Sequence, residues 1–388
     1  MKFRKLSLIM CLVLLTSLFT ACSGNEKTQQ ALSWKANYST FNFTAYKDGV
    51  FFSDKNNILH YFDASSKEDV ILCDKKDCQH SGKSCHGYVG YSSGYSVFGD
   101  NIYTLNSDEA VVTVIKSDID YTNPEEIAAL GKELAENGDY VFPSDFRVSG
   151  DYIYYLAEVS NFDTGESYYG IYCVNTKTGK ETTVIDQLTQ ASNLSIIAVC
   201  GSEIIYLTTH MDEDMYSELY ESDLQGNNWE EFSRKFMEYE KQRTYNVYKY
   251  NVETGENTVI YENKAAAFPI FADDNFLYGY TFTVNDSLTF VPEKYFAVDL
   301  KTQEEKTIGK DEFEKKQRGF SESEADAITG GSDDLNIYFL TDSGYIGART
   351  DKKVQTGENS YNITGQSYIL IDKNNPQKEP FVFYTLEK

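Results

Sequence analysis

Hydrophobic and polar positions alternate in short runs along most of this chain, and the runs recur at a regular interval. A turn containing Gly or Asp leads each time into an aromatic and aliphatic run, as in Gly150-Asp151-Tyr152-Ile153-Tyr154-Tyr155. With one landmark residue per run, the copies fall at Phe51, Tyr103, Tyr154, Ile205, Leu277 and Tyr338. The first three intervals are 52, 51 and 51 residues, and a period near fifty is typical of β-propellers.

A second pattern follows in most copies, in which a strand ends on Asn or Asp and turns into another short strand. The segment Tyr172 to Lys180 aligns without gaps on Tyr248 to Glu256, and the segments from Phe296 and His60 fit the same frame. An Asn or Asp side chain accepts hydrogen bonds from the backbone that follows it, and Gly accommodates a positive φ, so these are hairpin turns. Four strands per copy make one propeller blade. We therefore predict an all-β fold over residues 33–388, a single β-propeller with six four-stranded blades, or seven if one copy has diverged.

The two ends of this domain and the longer segments between repeats predict further elements. The closing blade is predicted to combine a strand from residues 33–46 with the C-terminal strand Pro380 to Leu386. Asn123-Pro124-Glu125-Glu126 has the cap, proline and carboxylates of a helix start, and Asn137-Gly138 has the signals of its end. Residues 311–328 are charged and predict another short helical insertion.

One inserted helix carries an apolar stripe, because four aromatic residues recur at spacings of three and four. They are Trp229, Phe232, Phe236 and Tyr239. Such a stripe either packs on its own domain or presents a partner-binding face, and its place in an insertion keeps the second alternative open.

The N-terminus has the layout of an export signal. Three basic residues at positions 2, 4 and 5 precede an apolar stretch, Leu6 to Phe19, which is too short to span a bilayer as a helix. The sequence Leu18-Phe19-Thr20-Ala21-Cys22 resembles a bacterial lipobox, with Phe19 where Leu is usual. We predict that residues 1–21 are a lipoprotein signal peptide, that Cys22 is acylated, and that residues 22–32 form a polar tether. The alternative is an ordinary cleaved signal with an incidental cysteine.

The charge of the chain restricts its partners. The formal net charge is −25, from 60 acidic and 35 basic side chains. Nucleic acid is excluded as an expected partner, because its binding depends on basic side chains that displace phosphate counterions. The same charge disfavours adsorption to anionic lipid, so an acyl group such as palmitate must hold the protein at the membrane.

Candidate chemistry is concentrated in residues 73–86, which hold three cysteines and two histidines. A Cys3His set is a closed structural zinc geometry, and its members here are Cys73, Cys78, His80 and Cys85. Alternatively, two of the three cysteines form a disulfide, which export permits. A third alternative is an exposed reactive thiol activated by Lys75, Lys76 and His80. Zinc and a disulfide are both structural, so the cluster does not by itself imply catalysis.

The lipobox, the Gly-Asp-x-Ile-Tyr repeat and the stretch from Leu72-Cys73 to Cys85-His86-Gly87-Tyr88 together resemble a group of surface lipoproteins from gut-dwelling Firmicutes. Those proteins are similar to TolB-like propellers and carry a Leu-Cys-Asp-Lys-Pro-x-Cys-x-His stretch after the first blade. In this chain Lys76 stands where Pro is commoner. The resemblance implies a propeller fold and an extracytoplasmic location, and it implies no established activity.

These observations favour a non-catalytic binding or scaffolding module on the outer face of the cytoplasmic membrane, with a protein or glycan as ligand. One alternative is a hydrolase or lyase of polysaccharide, which needs two carboxylates about 5 to 10 Å apart near the propeller axis. Another is a metal or thiol sensor built on Cys73 to Cys85. The abundant Asp and Glu do not show which carboxylates converge.

Overall fold

The computed structural model describes residues 32, 34 and 43–387, with internal gaps at 90–93, 109–110, 189–191, 221–228, 264–265, 286–288, 325–334, 358–359 and 376–377. The predicted signal peptide and Cys22 lie outside the described residues.

The described chain folds into six antiparallel sheets of four strands, each made of four consecutive strands. The first three blades are β1 (Phe43–Tyr46), β2 (Gly49–Ser53), β3 (Leu59–Asp63), β4 (Glu68–Ile71); β5 (Tyr95–Phe98), β6 (Asn101–Asp108), β7 (Val111–Asp118), β8 (Glu125–Leu130); and β9 (Tyr140–Ser149), β10 (Tyr152–Asn161), β11 (Glu166–Asn175), β12 (Glu181–Leu188).

The other three blades are β13 (Ser192–Cys200), β14 (Glu203–His210), β15 (Thr244–Asn251), β16 (Asn257–Asn263); β17 (Ala267–Ala272), β18 (Phe276–Val284), β19 (Phe290–Asp299), β20 (Glu305–Ile308); and β21 (Leu335–Leu340), β22 (Tyr345–Gly357), β23 (Ser360–Asp372), β24 (Phe381–Glu387). First strands of successive blades lie side by side, with β5 beside β9, β9 beside β13 and β13 beside β17. The protein is therefore an all-β six-bladed propeller, as predicted.

The repeating landmarks mark the same strand in five blades. Phe51, Tyr103, Tyr154, Ile205 and Leu277 lie on the second strands and are buried. The sixth landmark was misplaced, because Tyr338 lies on β21, the first strand of its blade. There the turn comes later, at residues 341–344, where the Thr341 N–H donates to the Tyr345 carbonyl and Gly344 has a φ of 88°.

The predicted Asn and Asp turns between third and fourth strands are confirmed atom by atom. Asn175 Oδ1 accepts the N–H groups of Lys177 and Thr178 at 3.0 and 3.2 Å. Equivalent bonds form at Asn251, Asp299 and Asp63. Because a short polar side chain replaces the missing backbone partners, four blades turn at the same point of the repeat.

Neighbouring blades share apolar clusters, which is the packing expected of a propeller. Blades 2 and 3 share one cluster, blades 3 and 4 another, blades 4 and 5 a third, and blades 1 and 2 a fourth. Between blades 5 and 6 lies a helix, Lys310–Arg318, whose Phe313 packs in the cluster of blade 5. Phe320, just after this helix, packs in the cluster of blade 6. The ring is thus held by side-chain burial at its blade boundaries.

The prediction for the closing blade was wrong. Among the described residues, β1 pairs only with β2 and β24 pairs only with β23, so no sheet combines the two ends of the chain. The C-terminal strand itself was predicted to within a residue. It completes its own blade because β21, β22 and β23 supply three strands already. The ring closes instead through an aromatic cluster in which Phe43, Phe52 and Phe62 meet Phe381 and Phe383.

The α-helices outside the blades include α1 (Lys132–Glu136), α2 (Glu213–Tyr220), α3 (Trp229–Glu240) and α4 (Lys310–Arg318), and residues 322–324 are also helical. The helix predicted to begin at Asn123-Pro124-Glu125-Glu126 was wrong at its start. Residues 125–130 form β8 and pair with β7, because a fourth strand satisfies this backbone within blade 2 despite the local helix signals. The predicted end at Asn137-Gly138 is correct, since Asn137 caps α1 and Gly138 has a φ of 91°.

Of the helices in the described residues, none has the length and apolar character needed to cross a membrane.

Removal of one ring from a blade boundary should be far more costly than removal of an exposed ring. Phe296 is 0% exposed, and the centre of its ring lies 5.1 Å from the ring centre of Tyr261 in the neighbouring blade. Phe296→Ala is expected to lower the free energy of unfolding by about 3–5 kcal/mol. The matched control Phe162→Ala removes a ring that is 67% exposed and should cost less than about 1 kcal/mol. Urea unfolding followed by fluorescence measures both, and equal losses would contradict the packing described.

Candidate metal centre

The Cys/His loop, which we define as residues 72–89, runs from the end of β4 toward β5. Both of its ends are fixed to blade 1. The Leu72 N–H donates to the Leu59 carbonyl at 3.0 Å, and the Leu59 N–H donates to the Gly87 carbonyl at 2.8 Å. Ile58 forms a β-bridge with Tyr88. Leu72 and Val89 are buried in the cluster between blades 1 and 2, so blade packing positions the loop.

Two residues inside the Cys/His loop have a left-handed backbone without being glycine. Asp77 has a φ of 59° and His80 a φ of 48°. Such conformations cost on the order of 1 kcal/mol each and persist where the surroundings determine them. Both residues lie in the segment that brings Cys78 and His80 close to Cys73 and Cys85.

The four predicted ligands meet at one point. One donor atom from each of Cys73, Cys78, His80 and Cys85 lies within 4.8 Å of all the others. The Cys85 Sγ lies 3.7 Å from His80 Nδ1. A tetrahedral zinc with bonds of about 2.3 Å to sulfur and 2.0 Å to nitrogen separates such atoms by about 3.5 Å. The structure therefore brings together a Cys3His cluster that can bind a metal such as zinc.

The thiols of the cluster differ in acidity. Burial opposes ionisation of Cys73, but the N–H groups of Lys75 and His86 and the neighbouring thiols outweigh it and lower its pKa. Burial raises the pKa of Cys85 to about 12. Among the described cysteines none is joined in a disulfide. A metal cation would compensate the charge of the thiolates that bind it.

A polar pair that sequence reasoning missed lies beside the cluster. His86 Nδ1 is 2.6 Å from Asp74 Oδ1, so the residues that follow Cys73 and Cys85 contact each other. Lys75 Nζ adds a bond of 3.2 Å to the Ser84 carbonyl. In the sequence, the only signal was that Asp74 follows Cys73 and His86 follows Cys85. Their contact across twelve residues depends on how the loop folds.

The remaining described cysteines are not part of the cluster. Cys173 is buried between blades 3 and 4, and Cys200 packs at the boundary of blades 4 and 5. Burial raises the pKa of Cys173 to about 12 and also raises that of Cys200. They sit as small apolar residues on strands.

The aromatic stripe of α3 lies mostly against its own insertion. Phe232 is buried in a cluster with Met211 and Leu219, and Phe236 and Tyr239 pack against the same cluster. Trp229 begins α3, and its side chain lies outside the described residues. The structure thus places three of the four residues in internal packing with α2.

No protein-family model matches the chain, and no curated protein matches it. Solved structures with some likeness include an oligogalacturonate lyase in complex with manganese, 11% identical, with a TM-score of 0.35 over 92% of this chain and 75% of that chain. The β-propeller domain of the trilobed protease from Pyrococcus furiosus, which has an open velcro topology, is 8% identical, with a TM-score of 0.36 over 87% and 89%. An acylaminoacyl peptidase from Pyrococcus horikoshii is 9% identical, with a TM-score of 0.39 over 89% and 50%. Because the sequence identities and TM-scores are this low, the function has to be inferred from the chain's own residues.

A side chain at Gly87 should displace the Cys/His loop from blade 1. A Cβ there would lie 2.5 Å from the Leu72 carbonyl oxygen, so one backbone must shift, at a cost of about 1–3 kcal/mol. Gly87→Ala is expected to speed hydrogen exchange at the Leu59 and Val89 amides. Gly309→Ala is the control, since nothing lies within 4 Å of its Cβ. Unchanged exchange at both amides in Gly87→Ala would contradict the described contact.

Proposed function

We propose that this chain is a membrane-anchored extracytoplasmic propeller lipoprotein of the TolB-like kind it resembles. It acts as a non-catalytic binding or scaffolding module for a protein or glycan, and its Cys/His loop holds a structural zinc ion. The observation that carries the proposal is the convergence of four protein donor atoms within 4.8 Å. Four protein ligands complete a tetrahedral zinc site and leave no position for substrate, which is the arrangement of structural rather than catalytic zinc.

The position of the cluster supports a structural role. Zinc bound there would tie the chain leaving blade 1 to the chain entering blade 2, because Leu72 and Val89 at the two ends of the loop belong to the cluster shared by these blades. It would also offset the conformational cost at Asp77 and His80. When bound, the metal supplies cross-linking and charge compensation for the thiolates.

An exposed aromatic group supports a binding role. Tyr140, Phe142 and Phe162 are 43%, 45% and 67% exposed, and the rings of Tyr140 and Phe162 lie 4.7 Å apart. Tyr140 and Phe142 belong to β9, a first strand that lies beside those of the neighbouring blades. Exposed aromatic side chains grouped in this way are typical of interaction surfaces.

A second candidate function is a thiol or metal sensor, favoured by the convergence of three thiols and one imidazole at one point. A sensor would release its metal on mild oxidation, whereas a structural site keeps it.

Zinc should copurify with the protein at one ion per chain when no chelator is used. Cys78→Ser removes one of four ligands and is expected to weaken zinc binding at least about tenfold. Cys200→Ser is the matched control, since Cys200 lies at a different blade boundary. Mass spectrometry of metals and a thiol count in denaturant measure the outcome.

Absence of metal, together with a disulfide among Cys73, Cys78 and Cys85, would contradict the zinc site. Zinc loss in dilute peroxide would favour the sensor.

Membrane attachment should depend on Cys22 and on no other cysteine of the N-terminus. In a bacterial host that acylates lipoproteins, Cys22→Ser is expected to move the protein from the detergent phase to the aqueous phase, because acyl chains provide the anchoring. Cys11→Ser is the control, as Cys11 lies in the predicted signal peptide. Phase separation followed by immunoblotting measures the distribution. An unchanged distribution in Cys22→Ser would show that the chain is held by something else.

A further inference from the structure

The insertions of this propeller all lie on one face of the ring. Because each blade has four consecutive antiparallel strands, every first strand starts at the same face, and the chain returns to that face after every second and fourth strand. The Cys/His loop and helices α1 to α4 all lie in connections of these two kinds. We call this the insertion face, and loops gathered in this way commonly carry the binding function of a rigid scaffold.

An exposed group of rings, which we call the aromatic patch, lies on the insertion face of blade 3. Its members are Tyr140, Phe142 and Phe162. Tyr140 and Phe142 are at the start of β9 and lie two residues apart, so they share one side of the sheet. Phe162 follows β10 in the turn to β11, and its ring centre is 4.7 Å from that of Tyr140. Since β9 is a first strand and first strands lie side by side around the ring, the patch is close to the centre of this face.

Acidic side chains surround the aromatic patch. The two segments that carry it, residues 139–145 and 158–169, contain five acidic residues and no Lys, Arg or His. The five are Asp139, Asp145, Glu158, Asp163 and Glu166. Asp145 is paired with Arg147, whereas the other four form no ion pair in the part of the chain that the structure describes. The patch therefore attracts a cationic ligand and repels an anionic one.

Carboxylates lie directly beside the rings of the patch. Glu158 is opposite Phe142 in the pairing of β9 with β10, and the Cβ atoms of such partners are about 5 Å apart. Asp163 follows Phe162, and its N–H donates to Asn161 Oδ1 at 3.0 Å, which holds the turn. A cation placed on one of these rings is therefore within reach of a carboxylate.

The acidic character continues onto the neighbouring insertion. Tyr169 of β11 is the next residue in the row formed by Phe142 and Glu158. Burial, Glu158 and Tyr216 of α2 raise the pKa of Tyr169, so α2 borders this row. That helix has no basic residue, and its acidic residues are Glu213, Asp214 and Glu218. The negative surface is thus long enough for an extended ligand with several positive charges.

We propose that the aromatic patch binds a basic segment of another protein, with Arg or Lys side chains over the rings of Tyr140 and Phe162 and beside Glu158 and Asp163. Arginine stacks on aromatic rings and also forms paired hydrogen bonds with a carboxylate, so one side chain uses both features of the patch. A neutral glycan would use the rings but would gain nothing from the negative charge. The inference rests on the proposed function and names the partner class of the binding module.

The test uses the zinc-loaded full chain and three fluorescent probes in anisotropy titrations. They are a synthetic peptide of alternating arginine and serine, the same peptide with citrulline for arginine, and the neutral glycan cellohexaose. Citrulline has nearly the shape of arginine but no charge. The arginine peptide is expected to bind at least about tenfold more tightly than the citrulline peptide, and its binding should weaken as salt is added.

Two pairs of variants locate the binding. Phe162→Ala should weaken binding of the arginine peptide at least about fivefold. Its control, Val382→Ala, removes a side chain of blade 6 that is 51% exposed and should have no effect. Asp163→Asn should weaken binding about threefold. Asp342→Asn removes the same charge from a turn between first and second strands, on the opposite face, and should leave binding unchanged.

Equal affinities for the arginine and citrulline peptides, or equal effects within either pair of variants, would overturn the inference. Tighter binding of cellohexaose than of the arginine peptide would also overturn it and would assign the patch to a glycan. A zinc-loaded, membrane-attached protein that does not bind the arginine peptide would overturn the inference and leave the proposed function standing. Failure of the proposed function itself appears separately, as absent zinc or as membrane attachment without Cys22.

Discussion

Burial of aromatic and aliphatic side chains between neighbouring sheets is the interaction on which the rest of this structure depends. Each blade satisfies its own backbone hydrogen bonds, but it leaves apolar faces that only the next blade can cover. Five of the six boundaries have a shared cluster of this kind among the described residues. At the sixth, α4 carries Phe313 into one blade and Phe320 follows into the next. A helix and the residue that follows it therefore contribute to the packing at this boundary.

The candidate metal centre inherits its geometry from this packing. The Cys/His loop is long, but Leu72 and Val89 at its two ends are buried in the boundary between blades 1 and 2. Within the loop, Asp77 and His80 have a left-handed backbone. The donor atoms converge because their backbone is constrained from both sides. The nearby pairing of Asp74 with His86 follows from the same placement.

Much of the fold was predictable because its signals are local. The turn before the second strand and the Asn or Asp turn before the fourth recur in sequence and form the same bonds in the structure. The members of the Cys3His cluster were also predictable, since they lie within thirteen residues. The failures concern choices made by tertiary packing. Glu125 to Leu130 have helix signals but form a strand, since blade 2 lacked its fourth. The packing of Phe232 inside its own insertion depends on contacts between distant segments.

The order of strands along the chain has a consequence for folding. Because every blade is made of consecutive strands, each sheet can form from local hairpins as soon as its own four strands are free to fold. The boundary between blades 1 and 6 is different. Phe43 and Phe52 find their partners only when Phe381 and Phe383 have been made. Until the last blade has formed, this apolar edge stays uncovered. A partly folded chain therefore presents a surface that can adhere to other unfolded chains.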